Sequence, residues 1–472
     1  MLIGALAMLI PVQTSAQTTA APAIATQPAS LTVNAGASAT FTVVATGTPL
    51  PRFQWLKNGR ELEDAASATF TINAATLNDA AVYTVKVSNS AGSVTSAPAS
   101  LAVNAVAGTI TTAPASSTVK AGTDVKLTVT TTGTGLTYQW KFNGRPIKGA
   151  TAATLALTNV GTISAGNYSV TVNNSAGPAA AAAAVLTVTT NARLINIATR
   201  GRVGEDDEVL ISGFVTRGTG TKKILLRAVG PTLGTQFKVP DALANPTITL
   251  YRGNTVIDTN SSWGGSAALV ASFAQVGAFP LVATTADAAL LATLGSNAYS
   301  AVVTAPKGAS GIALIEAYDA DTGSPPAEIF NISTRALVGA EAKDTLIAGF
   351  VIAGTTSDTV LIRGVGPSLG TLFGMRRALG NSHVAVFDSK GIQIAANTVW
   401  GKGGRGEEED DEDEDKVNDM DDASDHVGAW HLPRGSKDSA LLLTLAPGVY
   451  TAHVTGVNGK SGIALVEIYE VH

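Results

Sequence analysis

Alternation of apolar and polar positions dominates the first 190 residues. In SATFTVVA, Ser38–Ala45, Phe41 and Val43 fall on one face, and in VYTVKVSN, Val82–Asn89, so do Tyr83, Val85 and Val87. A period of two over five to eight residues is the mark of a half-buried strand. Between such runs stand Asn58–Gly59 and Asn143–Gly144. Each is a hairpin signal, because both central residues of a two-residue hairpin turn take positive φ. The pattern occurs twice. GTPLPRFQWLKNG around Trp55 returns 85 residues later as GTGLTYQWKFNG around Trp140. Each is followed by a Tyr (Tyr83, Tyr168) two positions before a Val (Val85, Val170), and then by an N-S-A-G turn. Val129 and Leu155 complete the second set, and the alanine run Ala179–Val185 reads as the lead-in to a last strand, VLTVTT. Two strand-rich units are therefore expected, over 24–104 and 108–190.

Both units resemble bacterial immunoglobulin-like domains of the intermediate set. In that family a Trp packs over an inter-sheet disulfide and a Tyr makes a corner hydrogen bond. This chain has no cysteine; Val43 with Val85, and Val129 with Val170, stand at the bridge positions. The resemblance implies two sandwiches with Val43, Trp55, Tyr83, Val85, Val129, Trp140, Tyr168 and Val170 as structural core, held by apolar packing without the restraint a disulfide places on the unfolded chain. Asp79 precedes Tyr83 by four residues, whereas Ser164 precedes Tyr168, so the second corner is expected to be weaker.

From Ala192 onward a different duplication begins. INIATR (Ile195–Arg200) returns as FNISTR (Phe330–Arg335), LISGFV (Leu210–Val215) as LIAGFV (Leu346–Val351), and ILLRAVGPTLG (Ile224–Gly234) as VLIRGVGPSLG (Val360–Gly370). The closing block SGIALIEAYD returns as SGIALVEIYE. The offset grows from 135 to 137, then jumps to 151 after Trp400, so one insertion of about fourteen residues separates the copies. Each copy reads as seven or eight short strands with Gly-rich turns. The fold class is thus all-β: tandem immunoglobulin-like sandwiches, then two β-sandwich or jelly-roll-like modules over 192–320 and 327–472. Ala267–Val276 is the amphipathic piece expected to be helical. The blocks are similar to an uncharacterised β-rich repeat of exported bacterial proteins, which implies secretion or surface display and no known activity.

Charge sharpens the picture at one place. The net charge is −5, yet Glu407–Asp425 holds thirteen acidic residues and one Lys, leaving +7 for the rest of the chain. That remainder is dispersed, without Lys/Arg clusters among aromatics, which argues against nucleic-acid binding. An insertion near 402–426 reads as a solvated, self-repelling, disordered loop. Asp411, Asp413, Asp415, Asp419 and Asp422 match calcium-loop positions one, three, five, nine and twelve, but Lys416 stands where the turn needs Gly, leaving diffuse, weak Ca²⁺ binding as the metal chemistry to test. The five His residues show no ligand spacing, although His426 and His431 flank the run. At the start, an apolar stretch from Leu2 to Val12 and small residues up to Ala16 resemble a secretory signal lacking its basic n-region. Residues 1–23 are read as signal and linker, with the true start upstream; no transmembrane segment is expected.

The remaining chemistry is sparse. Arg200, Arg227, Arg335 and Arg363 recur between copies, as do Glu316 and Glu467. They read as bidentate, partly buried ties that fix strand register, with a carbohydrate or anion site as the alternative. Gly366–Gly370 fits the G-x-S-x-G nucleophile pattern, but the first copy has Thr232 in place of Ser368 and no His recurs, so a Gly-Pro turn is the better reading. Gly401–Gly406 fits G-x-G-x-x-G but faces nine carboxylates, which repel phosphate. The whole reads as a non-catalytic, secreted or cell-surface bacterial binding and spacer protein, recognising polysaccharide or a surface protein, without a cofactor. The alternatives are a matrix or surface-layer component whose acidic loop responds to divalent cations, and the accessory half of a secreted hydrolase system.

Overall fold

The computed structural model describes residues 18–205, 208–321, 327–400 and 411–471, leaving out the side chains of 178–181 and 411–416. The signal expected at 1–16 and the stretch 402–410 lie outside the described residues. The chain is all-β in class, with two β-sandwiches first and further β-rich regions after them. Its internal contacts separate it into two compact units, one with the first sandwich and part of the second, the other with the rest of the second and the C-terminal half.

In the first sandwich Leu31–Asn34 runs parallel to Ala99–Asn104, and the sheet continues through Ala81–Asn89 and Arg52–Lys57 to Arg60–Glu61. The other strands pair Ala39–Thr42 with Thr69–Ile72 and Ala20–Thr26 with Val44–Thr48. Trp55 lies opposite Val85, is fully buried, and donates its indole N–H to the Ser67 carbonyl at 2.9 Å. The second sandwich repeats this: Trp140 lies opposite Val170 and donates to the Ala152 carbonyl at 2.9 Å. Burying each indole with its one donor satisfied combines a large apolar contribution with no orphaned polar group. Both Asn-Gly hairpins take positive φ, 50° and 80° at Asn58–Gly59 and 46° and 87° at Asn143–Gly144.

Among the described residues, the C-terminal half forms one sheet of fourteen strands. The first copy supplies β1 (Arg193–Val203), β2 (Leu210–Val229), helix α1 (Pro231–Gln236), β3 (Thr247–Arg252), β4 (Thr255–Asn260), α2 (Ala267–Gln275), β5 (Ala288–Thr304) and β6 (Gly311–Asp319). The second supplies β7 (Ala327–Val338), β8 (Leu346–Ala353), β9 (Asp358–Val365), α3 (Pro367–Phe373), β10 (Ser382–Phe387), β11 (Gln393–Asn397), α4 (Asp411–Val427), β12 (Ser439–Leu445), β13 (Gly448–Gly456) and β14 (Gly462–Glu470). β8 and β9 together correspond to the long β2, and β12 and β13 to β5.

Strand pairing crosses between the copies. β1 pairs along one edge with β6 of its own copy, Asn196 to Tyr318 through Val203 to Gly311. Along its other edge it pairs with β8 of the second copy, Ile197 opposite Phe350. β7 does the converse in matching register, pairing with β14 from Asn331–Tyr469 to Val338–Gly462 and with β2 of the first copy, Ile332 opposite Phe214. Equivalent hydroxyls Thr199 and Thr334, both buried, meet at 2.9 Å where β1 and β7 come together. Ile197, Phe214, Ile332 and Phe350 therefore share one apolar core drawn from both copies.

One element differs from the sequence reading. The insertion expected as a disordered acidic loop is helical over its described part, Asp411–Val427. Val417, Ala423 and Val427 are buried and Met420 packs beside them against Leu369 and Trp400 or Leu361 and Tyr469. Their spacing of three and four residues gives the helix an apolar stripe, which tertiary burial rewards despite the charge. α4 occupies the place that α2 holds in the first copy, where Leu269 and Phe273 are the buried apolar residues.

Residues 192–321 produced alone would leave β1 and the first half of β2 without their second neighbours. The expected outcome is self-association into a dimer that restores the exchange, read by sedimentation velocity. A stable monomeric fragment would contradict it.

Candidate functional site

The best-patterned polar residues come together twice, once in each copy. In the first, Arg227 sits on the second half of β2 directly opposite Glu316 on β6. Its Nε donates to Glu316 Oε2 at 2.7 Å, its Nη2 lies 2.6 Å from the same oxygen, and its Nη1 donates to the Phe279 carbonyl at 2.6 Å. Glu316 Oε1 accepts from the Tyr318 hydroxyl at 2.7 Å. In the second copy Arg363 on β9 faces Glu467 on β14, with Nε and Nη2 on Oε2 at 2.8 and 2.5 Å and Nη1 on the Trp430 carbonyl at 2.5 Å. The Tyr469 hydroxyl donates to Glu467 Oε1 at 2.9 Å. The fork converges on one carboxylate oxygen, not two as a bidentate tie would, because the tyrosine claims the other. Burial and the adjoining carboxylate hold both Tyr318 and Tyr469 well above the ordinary phenol range.

Arg200 and Arg335 take other positions. Arg200 lies between Leu314 and Ile347 across its two ladders, and its charge adds to burial in holding the His453 imidazole below its usual range. Arg335 lies between Ile211 and Leu465 at the equivalent place.

The glycine-proline turns after β2 and β9 open α1 and α3. Gly230 cannot carry a side chain, since a Cβ would sit 2.0 Å from the Leu243 carbonyl oxygen; at Gly366 the corresponding distance, to Leu379, is 2.5 Å. The free amides at each helix start are capped by a buried aspartate. Asp287 Oδ1 accepts from Gly230 N at 2.8 Å and Thr232 N at 3.3 Å, while Oδ2 accepts from the Thr232 and Thr285 hydroxyls at 2.5 and 2.6 Å. Asp438 repeats this with Gly366 N, Ser368 N and the Ser368 hydroxyl. The Ser368 hydroxyl is thus buried and committed as a donor to a carboxylate. Sequence reasoning passed over Asp287 and Asp438, although their recurrence in DAALL and DSALL was available as a signal. It also passed over Gln54 and Gln139, whose amides each donate to two backbone carbonyls beside the buried Trp.

Each arginine backs an aromatic pair that reaches the surface. Arg227 lies over Phe279 at 4.3 Å, and Phe279 meets Phe237 edge-on at 4.9 Å. Arg363 lies over Trp430 at 4.7 Å, and Trp430 meets Phe373 edge-on at 5.3 Å. Phe237 and Phe373 are 48% and 59% exposed, at the ends of α1 and α3. The arrangement offers two partly exposed aromatic surfaces, each stiffened from behind by a buried cation.

The expected calcium ligands do not make a loop. Asp411, Asp413 and Asp415 fall within helix α4, and their side chains are outside the described ones. Asp419 and Asp422 lie further along the same helix. Among the described residues no group of three or more His, Cys, Asp or Glu is placed to hold a metal ion. His431 instead bridges α4, meeting Asp421 at 3.1 Å and Asp425 at 2.8 Å, and hydrogen bonds to these two carboxylates raise its affinity for a proton. Among the described residues, no helix is long and apolar enough to cross a membrane.

Replacing Arg363 by Ala leaves Glu467 buried beside Tyr469 without its cation. The expected cost is about 3–5 kcal/mol in urea denaturation, against a much smaller one for the double replacement Arg363→Met with Glu467→Leu. A loss for Arg363→Ala below about 0.5 kcal/mol would contradict a stabilising tie.

Residues 22–103 and 108–188 match the immunoglobulin I-set domain. Among curated proteins the chain is similar to endoglucanase C of Cellulomonas fimi, 34% identical over 179 residues, covering 36% of this chain and 16% of that protein. It is also similar to muscle M-line assembly protein unc-89 of Caenorhabditis elegans, 32% identical over 175 residues, covering 33% of this chain and 2% of that protein. The chain thus spans a small part of either relative. Of solved structures, the titin domains Z1Z2 in complex with telethonin align with 37% of this chain and 98% of theirs, at 27% identity and a TM-score of 0.24. The two front sandwiches are immunoglobulin I-set domains in tandem, built without a cysteine between them.

Proposed function

We propose that this is a non-catalytic, exported bacterial protein that binds polysaccharide at a surface, with the immunoglobulin tandem as spacer and the C-terminal half as the binding part. The observation that carries this reading is the matched pair of aromatic surfaces, Phe237 with Phe279 and Phe373 with Trp430. Exposed aromatic faces cover the apolar faces of sugar rings, and two of them on one protein raise the avidity for a repeating polymer. Similarity to part of an endoglucanase is in keeping with a polysaccharide-facing module, and the domain type is commonly non-catalytic. The nucleophile-like serine favours the same side, because its hydroxyl serves Asp438 in a site sealed from water.

The test is retention on insoluble β-linked polysaccharides, cellulose and chitin among them, compared with a Phe237→Ala/Phe373→Ala variant. Both side chains are at the surface, so the fold should change by no more than about 0.5 kcal/mol each. The expected result is binding by the native chain and at least about tenfold weaker binding by the variant, a step worth some 1.4 kcal/mol. Absence of native binding to any glycan, or equal binding by the two proteins, contradicts the reading.

A further inference from the structure

One buried cation of the C-terminal half is a lysine held between two carboxylates. Lys222, at the head of the second half of β2, has a side chain only 1% exposed. Its Nζ lies 2.6 Å from Asp319 Oδ2, at the end of β6, and 3.3 Å from Asp321 Oδ2, two residues further on. Asp319 is in register with Ile224, so the close pair is diagonal across the two strands. Lys222 alternates onto the face of Ile224 and Leu226, which belong with Leu294, its partner across β5, to the shared apolar core.

The ties at Arg227 and Arg363 use a guanidinium, which stays charged. A lysine differs, because once it sheds a proton its amine is a nucleophile. Here that amine stands in contact with a carboxyl group whose other oxygen is already engaged: Asp319 Oδ1 accepts from the Asp321 N–H at 3.1 Å. A donor at that place stabilises the negative charge that gathers on the oxygen when its carbon is attacked. Asp321 Oδ2, oriented by the Lys223 N–H at 3.2 Å, is within reach of Nζ to take a proton and return it. Asp321 is also the most exposed of the three, at 20% against 8% for Asp319, and so offers a released water a way out.

We propose that Lys222 and Asp319 condense to an intramolecular amide, with Asp321 as the proton carrier, which joins β2 to β6 covalently. One ammonium proton passes to Asp319 Oδ2, leaving a free amine beside a neutral carboxyl. The Nζ lone pair then forms a bond to Cγ, and Oδ1 takes the negative charge. Asp321 removes a second proton from Nζ and delivers it to the Oδ2 hydroxyl. That oxygen leaves as water when its bond to Cγ breaks, and the third proton stays on the amide nitrogen. The step is a dehydration without change of oxidation state, so no further reactant enters. Contact distance in a closed site stands in for a high reactant concentration, and the product replaces two buried opposite charges by a neutral group. The second copy has Asp358 and Glu470 at the corresponding positions, without an amine, so the link belongs to the first copy. In a chain without cysteine it supplies the restraint on the unfolded state that a disulfide otherwise would. The polysaccharide reading does not bear on it.

The experiment is proteolysis of the full folded chain after denaturation, with the peptides read by mass spectrometry. The expected result is that the peptides carrying Lys222 and Asp319 are recovered as one branched species, lighter than their sum by one water, in nearly every molecule. Recovery of the two as separate peptides overturns the proposal. Asp321→Asn keeps an acceptor for the Lys223 N–H but cannot carry the proton, and the folded variant should be largely unlinked. Linkage in that variant as complete as in the native chain overturns the part given to Asp321. Should the variant not fold, the digest of the native chain alone decides.

Discussion

Each copy of the C-terminal half gives up its first strand to a shared sheet. β1 lies between β6 of its own copy and β8 of the other, and β7 between β14 and β2. A strand with a neighbour on both sides has its backbone groups paired along both edges, which a single copy cannot supply for β1 or β7. Because the residues of both copies interleave in one core, neither half of the duplication closes by itself. The two Thr hydroxyls at the junction, Thr199 and Thr334, are buried and serve as each other's partners. The duplication is thus a requirement of the fold, in the manner of a two-fold dimer joined into one chain.

Once the exchange is in place, the repeated polar residues acquire their roles. Arg227 with Glu316, and Arg363 with Glu467, join the strand that leaves the exchanged region to the last strand of the same copy. Asp287 and Asp438 then hold the turn that follows, through the amides and hydroxyl of a short helix. Where the copies diverge, they do so by compensation. Arg227 is covered by Phe273 of α2 as well as Phe279. In the second copy α4 offers Ser424 at the place of Phe273, and Arg363 is covered by Trp430 and Tyr469 instead.

Much of this was legible in the residues because repetition reports what the fold needs twice. The Trp–Tyr–Val spacing indicated both front sandwiches, since a buried aromatic and its alternating neighbours leave a local pattern. The recurrence of Arg227 and Glu316 at Arg363 and Glu467 indicated a tie, though not that the carboxylate would be shared with a tyrosine. α4 was misread because thirteen acidic residues overshadowed the spacing of Val417, Met420, Ala423 and Val427. Strand exchange left no local trace. The alternation in INIATR suits a neighbour from either copy equally well, and only the closed sheet decides which.

Absence of cysteine from the chain makes the exchange directly measurable. Thr199→Cys and Thr334→Cys introduced together place two thiols where the hydroxyls stand 2.9 Å apart, 135 residues distant in sequence. A disulfide needs Cα atoms within about 7 Å and side chains directed at each other, which only adjoining β1 and β7 provide. Mild oxidation followed by mass analysis of the peptides should give a near-complete link within single monomeric chains. Two free thiols under the same conditions, with the protein folded, would contradict the exchanged sheet.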